Sequence, residues 1–377
     1  MSTDTTTGSP VAPAPVDSTP VSALSVLDLI PVRTDQTTAD AIAATTRLAQ
    51  TADELGFRRY WVAEHHNMPA VASTTPPVLL ALLASATRQI RVGSGGVMLP
   101  NHAPLAVAEQ FAVLEAAFPG RVDLGIGRAP GSDPVTSHML RSSAAQGSDP
   151  VDTFPDDVRD TIELMSPEGM VLDLRGRSYP LKGTPRAVTV PETWLLGSSM
   201  YSAQLAAALG LPYVFAHHFA GQGTREAMQT YRAAFRPSEH LAEPKTFGII
   251  NAVVAETAEE AERRALPYVR SMIRLRTGQG LEPQELVEDA EREGILPEHA
   301  SIAQAIRASW AVGTPEVAAA KVRELAATVG TDEIMISPVS SAYVGSDPRR
   351  VETREETLRL LAGVLLPEHA GVSKHTP

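Results

Sequence analysis

Glu64, His65 and His66 stand side by side at the end of the run Arg59-Tyr60-Trp61-Val62-Ala63, with Asn67 directly after them. Imidazoles titrate near neutral pH, and beside a carboxylate they can pass protons, bind a polar ligand or hold a metal. The run before them reads as a buried strand, so the polar cluster falls at a strand's C-terminal end. In parallel α/β proteins chemistry collects at that end. The plainer reading of one such histidine is a satisfied core imidazole. Adjacent strand residues face opposite ways, so at most two of these three side chains converge. A metal site ranks below an organic cofactor, and no metal is expected.

Three more stretches end strands in unusual ways. In 90–99, Gly93-Ser94-Gly95-Gly96 thins a strand. Glycines there mark either close approach of backbone to a ligand or a bulge in the sheet. In 121–128 (RVDLGIGR), Gly125 and Gly127 would leave room for a flat ring. Arg128 would offer a guanidinium to a phosphate, or be a surface arginine at a strand end. The spacing to Gly131 is wrong for a dinucleotide fingerprint, and Pro130 with its polar surroundings opens no helix. In LGSSMYS, a strand from Leu196 runs straight into a helix, with Ser198, Ser199 and Ser202 across the junction. Free N–H groups and hydroxyls there make a phosphate site, unless the serines only cap the helix. Walker A, H-E-x-x-H and G-x-S-x-G motifs are absent.

These stretches need elements to position them. Strands are expected at 22–30, 59–65, 90–99, 121–128, 193–196, 213–216, 246–255 and 333–337, each followed by helical sequence. The pattern predicts an α/β fold, a (β/α)8 TIM barrel, with an open doubly wound sheet as the alternative. The rhythm breaks twice, giving insertions after strand 4 and between strands 7 and 8. In the first, 129–155 reads as a loop, 156–165 as a short helix, and 170–191 as holding a β-excursion around Arg175-Gly176-Arg177. The second, 277–299, is acidic and broken by Gly278, Gly280, Pro283, Gly294 and Pro297. With little apolar surface to bury, it is expected to be poorly ordered, as a mobile cover over the barrel mouth or a solvated surface segment.

Composition narrows the partners. A net charge of −12 over 377 residues argues against nucleic acid or an anionic membrane surface. The absence of cysteine excludes disulfides, thiolate nucleophiles and cysteine-held metals. No apolar run is long enough to span a bilayer. Residues 1–21 are rich in Ser, Thr and Pro and lack the pattern of a signal peptide. They read as a disordered tail, 22–366 as the barrel domain and 367–377 as a second flexible tail, in a cytoplasmic protein.

Taken together, 60–67, 92–100 and 122–128 resemble the luciferase-like flavin monooxygenase family, which includes bacterial luciferase. The resemblance covers about 24–366 and is carried by WVAEHHNM, RVGSGGVMLPNHAPLAVAEQF, GRVDLGIGRAPG and WLLGSSMYSAQLAAALGLPY. It implies a (β/α)8 barrel that binds reduced FMN, or a deazaflavin in some branches. His65 then matches the active-site histidine beside the flavin ring, a general base or proton relay. Gly95 and Gly96 match a non-proline cis peptide under the ring, and Arg128 matches the arginine on the flavin phosphate. Ser199 and Ser202, with Tyr201 between them, match the phosphate-binding start of the helix after strand five. His217 falls at the ring-packing position. The implied activity is oxidation of a small organic substrate by reduced FMN and dioxygen, with a separate flavin reductase as partner and a homodimer as the assembly. Two other activities fit the same resemblance: deazaflavin-dependent hydride transfer, and flavin binding without catalysis.

Overall fold

The computed structural model describes residues 20–129, 131–141 and 150–366. The tail assigned to 1–21 lies outside the described residues up to 19, as does all of 367–377. β1 (Ala23–Asp28) is buried along its whole length, as a strand covered on both faces must be. α1 (Thr38–Glu54) starts at a capping box: the Thr37 hydroxyl takes the Asp40 N–H and the Asp40 carboxylate takes the Thr37 N–H. Its buried stripe is Ala41, Ala44, Leu48, Ala49 and Ala52. The chain then enters β2 (Arg59–Val62). The pleat sends Tyr60 and Val62 toward the helices, and Trp61 inward against Leu27.

α2 (Pro76–Ala86) leads to β3 (Arg91–Ser94) and, after a break, β4 (Val97–Met98). α3 (Pro104–Ala117) then leads to β5 (Val122–Gly127). Gly95 and Gly96 make the break and are joined by a cis peptide, as the resemblance implied. Across it the Ser94 hydroxyl donates to Gly125 O (2.8 Å) and accepts the Gly125 N–H (3.0 Å), keeping the ladder continuous. A Cβ on Gly93 would fall 2.4 Å from Trp61 Nε1, and one on Gly125 would fall 2.1 Å from Ser94 O. At these two positions the missing side chain is filled by the protein itself, so the flat-ring space expected at Gly125 is not there.

Residues 129–155 hold more helix than expected. α4 (Pro134–Arg141) begins at Asp133, whose carboxylate accepts the N–H groups of Val135 and Thr136. α5 (Pro150–Met165) begins well ahead of 156. Proline, Asp and Thr signal a loop by composition, but they are also what helix starts use. β6 (Met170–Asp173) and β7 (Ser178–Leu181) form the expected excursion, an antiparallel hairpin turning on Arg175 (φ 57°) and Gly176 (φ 78°).

The remaining elements are β8 (Glu192–Gly197), α6 (Met200–Leu209), β9 (Tyr213–Phe215), α7 (His217–Ala220), α8 (Thr224–Ala234), β10 (Gly248–Val254) and α9 (Ala258–Arg276). After them come α10 (Val287–Glu293), α11 (Ala300–Ala308), β11 (Ala311–Gly313), α12 (Pro315–Val329), β12 (Glu333–Pro338) and α13 (Glu352–Leu365). β11 is too short to leave a periodic signal and pairs with the end of β10. Among the described residues, the main sheet runs β11-β10-β12-β1-β2-β3-β5-β8-β9, with β4 on β5 and every pairing parallel. The architecture is a mixed α/β fold around a curled parallel sheet. No helix among the described residues is long and apolar enough to cross a membrane.

The 277–299 segment is folded, not loose. Leu286, Val287 and Ala290 are buried, and Gln284 pairs with Arg33 as an isolated bridge. Arg270 of α9 bonds Glu285 (2.7 Å) and Glu293, and Arg263 bonds Glu291 (2.6 Å). Three of the acidic residues that suggested a solvated stretch, Glu285, Glu291 and Glu293, are partners for arginines on α9.

At the N-terminal ends of the strands, Arg59 is 3% exposed. It donates twice to Glu333 (2.7 and 3.2 Å) and once to Asp123 (3.0 Å). Its guanidinium also lies 4.9 Å from the Trp194 ring and 5.4 Å from the Phe247 ring. Removing one partner from a buried ionic cluster strands the others. Arg59→Met is therefore expected to lower the unfolding free energy by about 3–5 kcal/mol in urea titration; a loss below about 1 kcal/mol would mean the cluster is solvated.

Candidate active site

The C-terminal ends of five neighbouring strands bring the sequence-assigned residues to one edge of the sheet. His65 follows β2, Gly95 and Gly96 follow β3, and Arg128 follows β5. Ser198 and Ser199 join β8 to α6, and His217 opens α7 just past β9.

His65 is held by its backbone, whose N–H donates to Ser73 O (2.8 Å), while the next N–H, that of His66, donates to Gly131 O (3.1 Å). Its ring Nδ1 is enclosed with no hydrogen-bond partner. Burial keeps the imidazole below its ordinary pKa, against the opposing pull of the Gly131 carbonyl and the Glu64 charge. His65 is therefore neutral at pH 7 and able to accept a proton.

Glu64 points away from His65. Its Oε1 accepts from His66 Nε2 and His102 Nε2, both at 2.7 Å, and its Oε2 accepts the Met98 N–H at 3.0 Å. Burial alone would raise this carboxyl's pKa; the His102 and His66 bonds and the Met98 N–H outweigh it, and the pKa is lowered. Glu64 and His66 are the two residues of the three that converge. His102, from another loop, completes a group whose ligand atoms lie within 4.8 Å of one another. Three N–H donors already satisfy the carboxylate, so the cluster stands as a brace that sets the loop carrying His65.

Two residues that sequence reasoning missed share His65's surroundings. The His218 Nδ1 is enclosed and unpartnered. Burial, with repulsion from His217 and His65, brings its pKa down to about 4. Asn251, on β10, donates from Nδ2 to His218 O (2.8 Å) and leaves its own Oδ1 buried without a donor. An amide inside the apolar run GIINAVV was a readable signal. His218 was masked by the choice of His217, whose Nδ1 lies 2.7 Å from Thr224 Oγ1 at the start of α8. Buried polar atoms are nearly always paired, so three unpaired ones in one region point to a ligand.

The second part of the site is cationic. The Arg128 guanidinium lies 4.1 Å over the Tyr201 ring, with no carboxylate in salt-bridge reach among the described residues. Ser199 is the N-cap of α6 but makes no side-chain capping bond, and Ser198 and Ser199 are exposed. Ser202 turns inward instead, donating to Ser199 O (2.7 Å) and lying 3.0 Å from the Tyr213 hydroxyl. An unpaired guanidinium beside an uncapped helix start suits a phosphate. Enclosed, unpaired acceptors suit the polar edge of a ring. Together the residues fit a flavin nucleotide.

Residues 23–333 match the family model for luciferase-like monooxygenases. The chain is 38% identical over 315 residues to a luciferase-like monooxygenase of Escherichia coli strain K12, covering 84% of this chain and 91% of that protein. The crystal structure of apo-MsnO8 superimposes with a TM-score of 0.79 at 33% identity, covering 92% of this chain and 99% of that one. Two structures below 25% identity share the fold. One is the oxygenating constituent of a Pseudomonas putida diketocamphane monooxygenase, in complex with FMN (TM-score 0.69, 19% identity, 92% and 98% covered). The other is a coenzyme F420-dependent reductase of Methanopyrus kandleri (TM-score 0.60, 16% identity, 93% and 99% covered).

The enclosed histidine makes stability pH-dependent with a definite sign. Above about pH 6.5 His218 is neutral whether folded or unfolded and contributes nothing to the slope. As pH falls toward about 4 only the unfolded chain takes the proton, so stability is lost. The loss approaches roughly 3 kcal/mol by the lower limit. Unfolding free energies of the wild type and His218→Phe, measured from pH 8 to 4.5, should diverge in slope below pH 6.5. Parallel profiles would place the imidazole in water.

Proposed function

The chain belongs to the luciferase-like monooxygenase family and is an oxidoreductase, and on that premise we propose that it is an FMN-dependent monooxygenase of a small organic substrate. The observation that carries this reading is the meeting, at one edge of the sheet, of three enclosed and unpaired polar atoms: His65 Nδ1, His218 Nδ1 and Asn251 Oδ1. The unpaired Arg128 stacked on Tyr201 stands at the same edge. The reading also takes the curled sheet as a closed (β/α)8 barrel with its insertions after strand 4 and between strands 7 and 8. The isolated parallel bridge from Tyr213 to Thr246, just ahead of β10, supports that closure.

In this site Arg128, the hydroxyls of Ser198 and Ser199 and the free N–H groups of α6 hold the phosphate. Tyr201 fixes the guanidinium, and Ser202 holds the turn that presents the helix start. Reduced FMN, delivered by a separate reductase, supplies the electrons with which dioxygen gives one oxygen atom to substrate and one to water. His65, neutral and enclosed, takes or returns a proton at Nδ1. The Glu64–His66–His102 brace keeps its loop in place. A deazaflavin hydride-transfer enzyme would use the same scaffold without oxygen. Titrating the protein with FMN and with a deazaflavin coenzyme, then following oxygen uptake on reduction, decides between them; deazaflavin binding with no oxygen uptake would overturn the FMN reading.

Two substitutions test the assignments. Arg128→Ala should weaken FMN binding by roughly tenfold or more while barely altering riboflavin binding, because a charge-assisted bond contributes about 1.5–3 kcal/mol; equal losses would put the phosphate elsewhere. His65→Asn should leave FMN affinity within a few-fold and slow turnover by about 10²–10⁴-fold. An unchanged single-turnover rate would remove His65 from the proton path.

A further inference from the structure

A cavity of about 50 Å³ lies at the mouth of the sheet, between the ends of β1 and β12, the loop after β2, and α9 with the segment that follows it. On the same measure one water occupies roughly 10–15 Å³, so there is room for only a few heavy atoms. Its wall is mostly apolar, with Leu29, Val71, Met272 and Val339 among its residues. The polar residues of that wall are Tyr268, Ser271, Glu282, Gln284, Ser337 and Arg354; the Ser271 hydroxyl is spent on Pro267 O (3.1 Å) and Gln284 Nε2 on Ser341 Oγ (2.9 Å). Tyr268 lines the cavity, and its hydroxyl has no hydrogen-bond partner among the described residues. Burial pushes this phenol up to about 12, so it remains a donor at neutral pH. Arg354, 4% exposed, spends Nη2 on Asp28 (2.6 Å) and Nε on Pro338 O (2.7 Å). Its Nη1 has no such bond. The exposed Glu282 sits on the rim.

We propose that this cavity receives the reacting end of the substrate, and that this end is a neutral, carbonyl-bearing apolar group of about the size of a small ketone. The assignment rests on the monooxygenase reading above, because the cavity is built on the loop that carries His65: Ala70 and Val71 line it, and Ala72 N–H is anchored on Ile30 O. The charge of Arg354 is already met by Asp28, so a carboxylate would enter an apolar site uncompensated, past Glu282. A carbonyl oxygen instead accepts from Tyr268 and Arg354 Nη1 without adding charge. The small volume selects the group that enters and leaves the rest of the substrate at the mouth.

The test uses the purified full chain and three isosteric probes in saturation-transfer NMR: 2-butanone, 2-methyl-1-butene and propanoate. 2-Butanone should bind, and the other two should bind at least several-fold more weakly. Tyr268→Phe should weaken 2-butanone by roughly tenfold, the worth of one hydrogen bond, and leave 2-methyl-1-butene unchanged. Ser271→Leu, which fills the cavity from α9, should abolish all binding without lowering Tm. Equal affinity for the ketone and the alkene, preference for propanoate, or ketone binding that survives Ser271→Leu overturns the proposal. FMN titration of the same sample separates the two readings. FMN binding without ketone binding sinks the cavity assignment alone; ketone binding without FMN binding sinks the monooxygenase reading and with it the cavity's role in the reaction, leaving a ketone site only.

Discussion

The fully buried carboxylate of Asp28 is the contact on which the mouth of this protein depends. It accepts from Thr45 (2.6 Å), Tyr60 (2.5 Å), Arg354 (2.6 Å) and the Ile30 N–H (2.8 Å). Burial would push it toward the neutral form, yet Arg354 and the two hydroxyls hold its pKa below the ordinary value. One charge therefore ties β1 to α1, β2 and α13. Ile30 sits at φ 52°, a costly conformation for a β-branched residue. It keeps that conformation because its N–H is fixed on Asp28 and its carbonyl accepts from Ala72 N–H (2.9 Å). Through Ala72 the same network reaches the loop that bears His65.

The sheet carries polar clusters at both ends, and they differ in kind. At the N-terminal end, Arg59 donates to both Glu333 and Asp123, and Ser25, Trp61 and Arg91 complete the set. Beside them the Trp194 Nε1, in the ring that packs on Arg59, is buried without a partner. At the C-terminal end, the His65, His218 and Asn251 atoms stay unpaired although enclosed. That asymmetry separates a scaffold from a site: satisfied groups rigidify, while unsatisfied ones await a partner.

Adjacent histidines divide their work by the faces they present. His66 turns to Glu64 and braces the loop, while His65 keeps its Nδ1 unused. In the pair at 217–218, His217 bonds Thr224 and His218 remains enclosed. In each pair one imidazole is hydrogen-bonded and the other keeps its Nδ1 unpaired. A residue's identity cannot distinguish them; the direction of its ring does.

How much of this was legible depended on whether the determinant was local. Strand–helix alternation and the glycine break at Gly95–Gly96 are local, and from them the α/β class and the placing of His65, Arg128 and Ser199 at strand ends could be read. Partners distant in sequence could not. His102 joins Glu64 across 38 positions and Arg354 joins Asp28 across 326, and no periodicity encodes either. The 277–299 segment is acidic in sequence yet packed in the fold, because arginines of α9 lie opposite its carboxylates. Composition records charge, but only the tertiary structure decides what stands across from it. The sequence by itself determined which residues could do chemistry and which ends of which strands carry them. The fold decided which of those groups remain unpaired, because pairing is a property of three-dimensional neighbours.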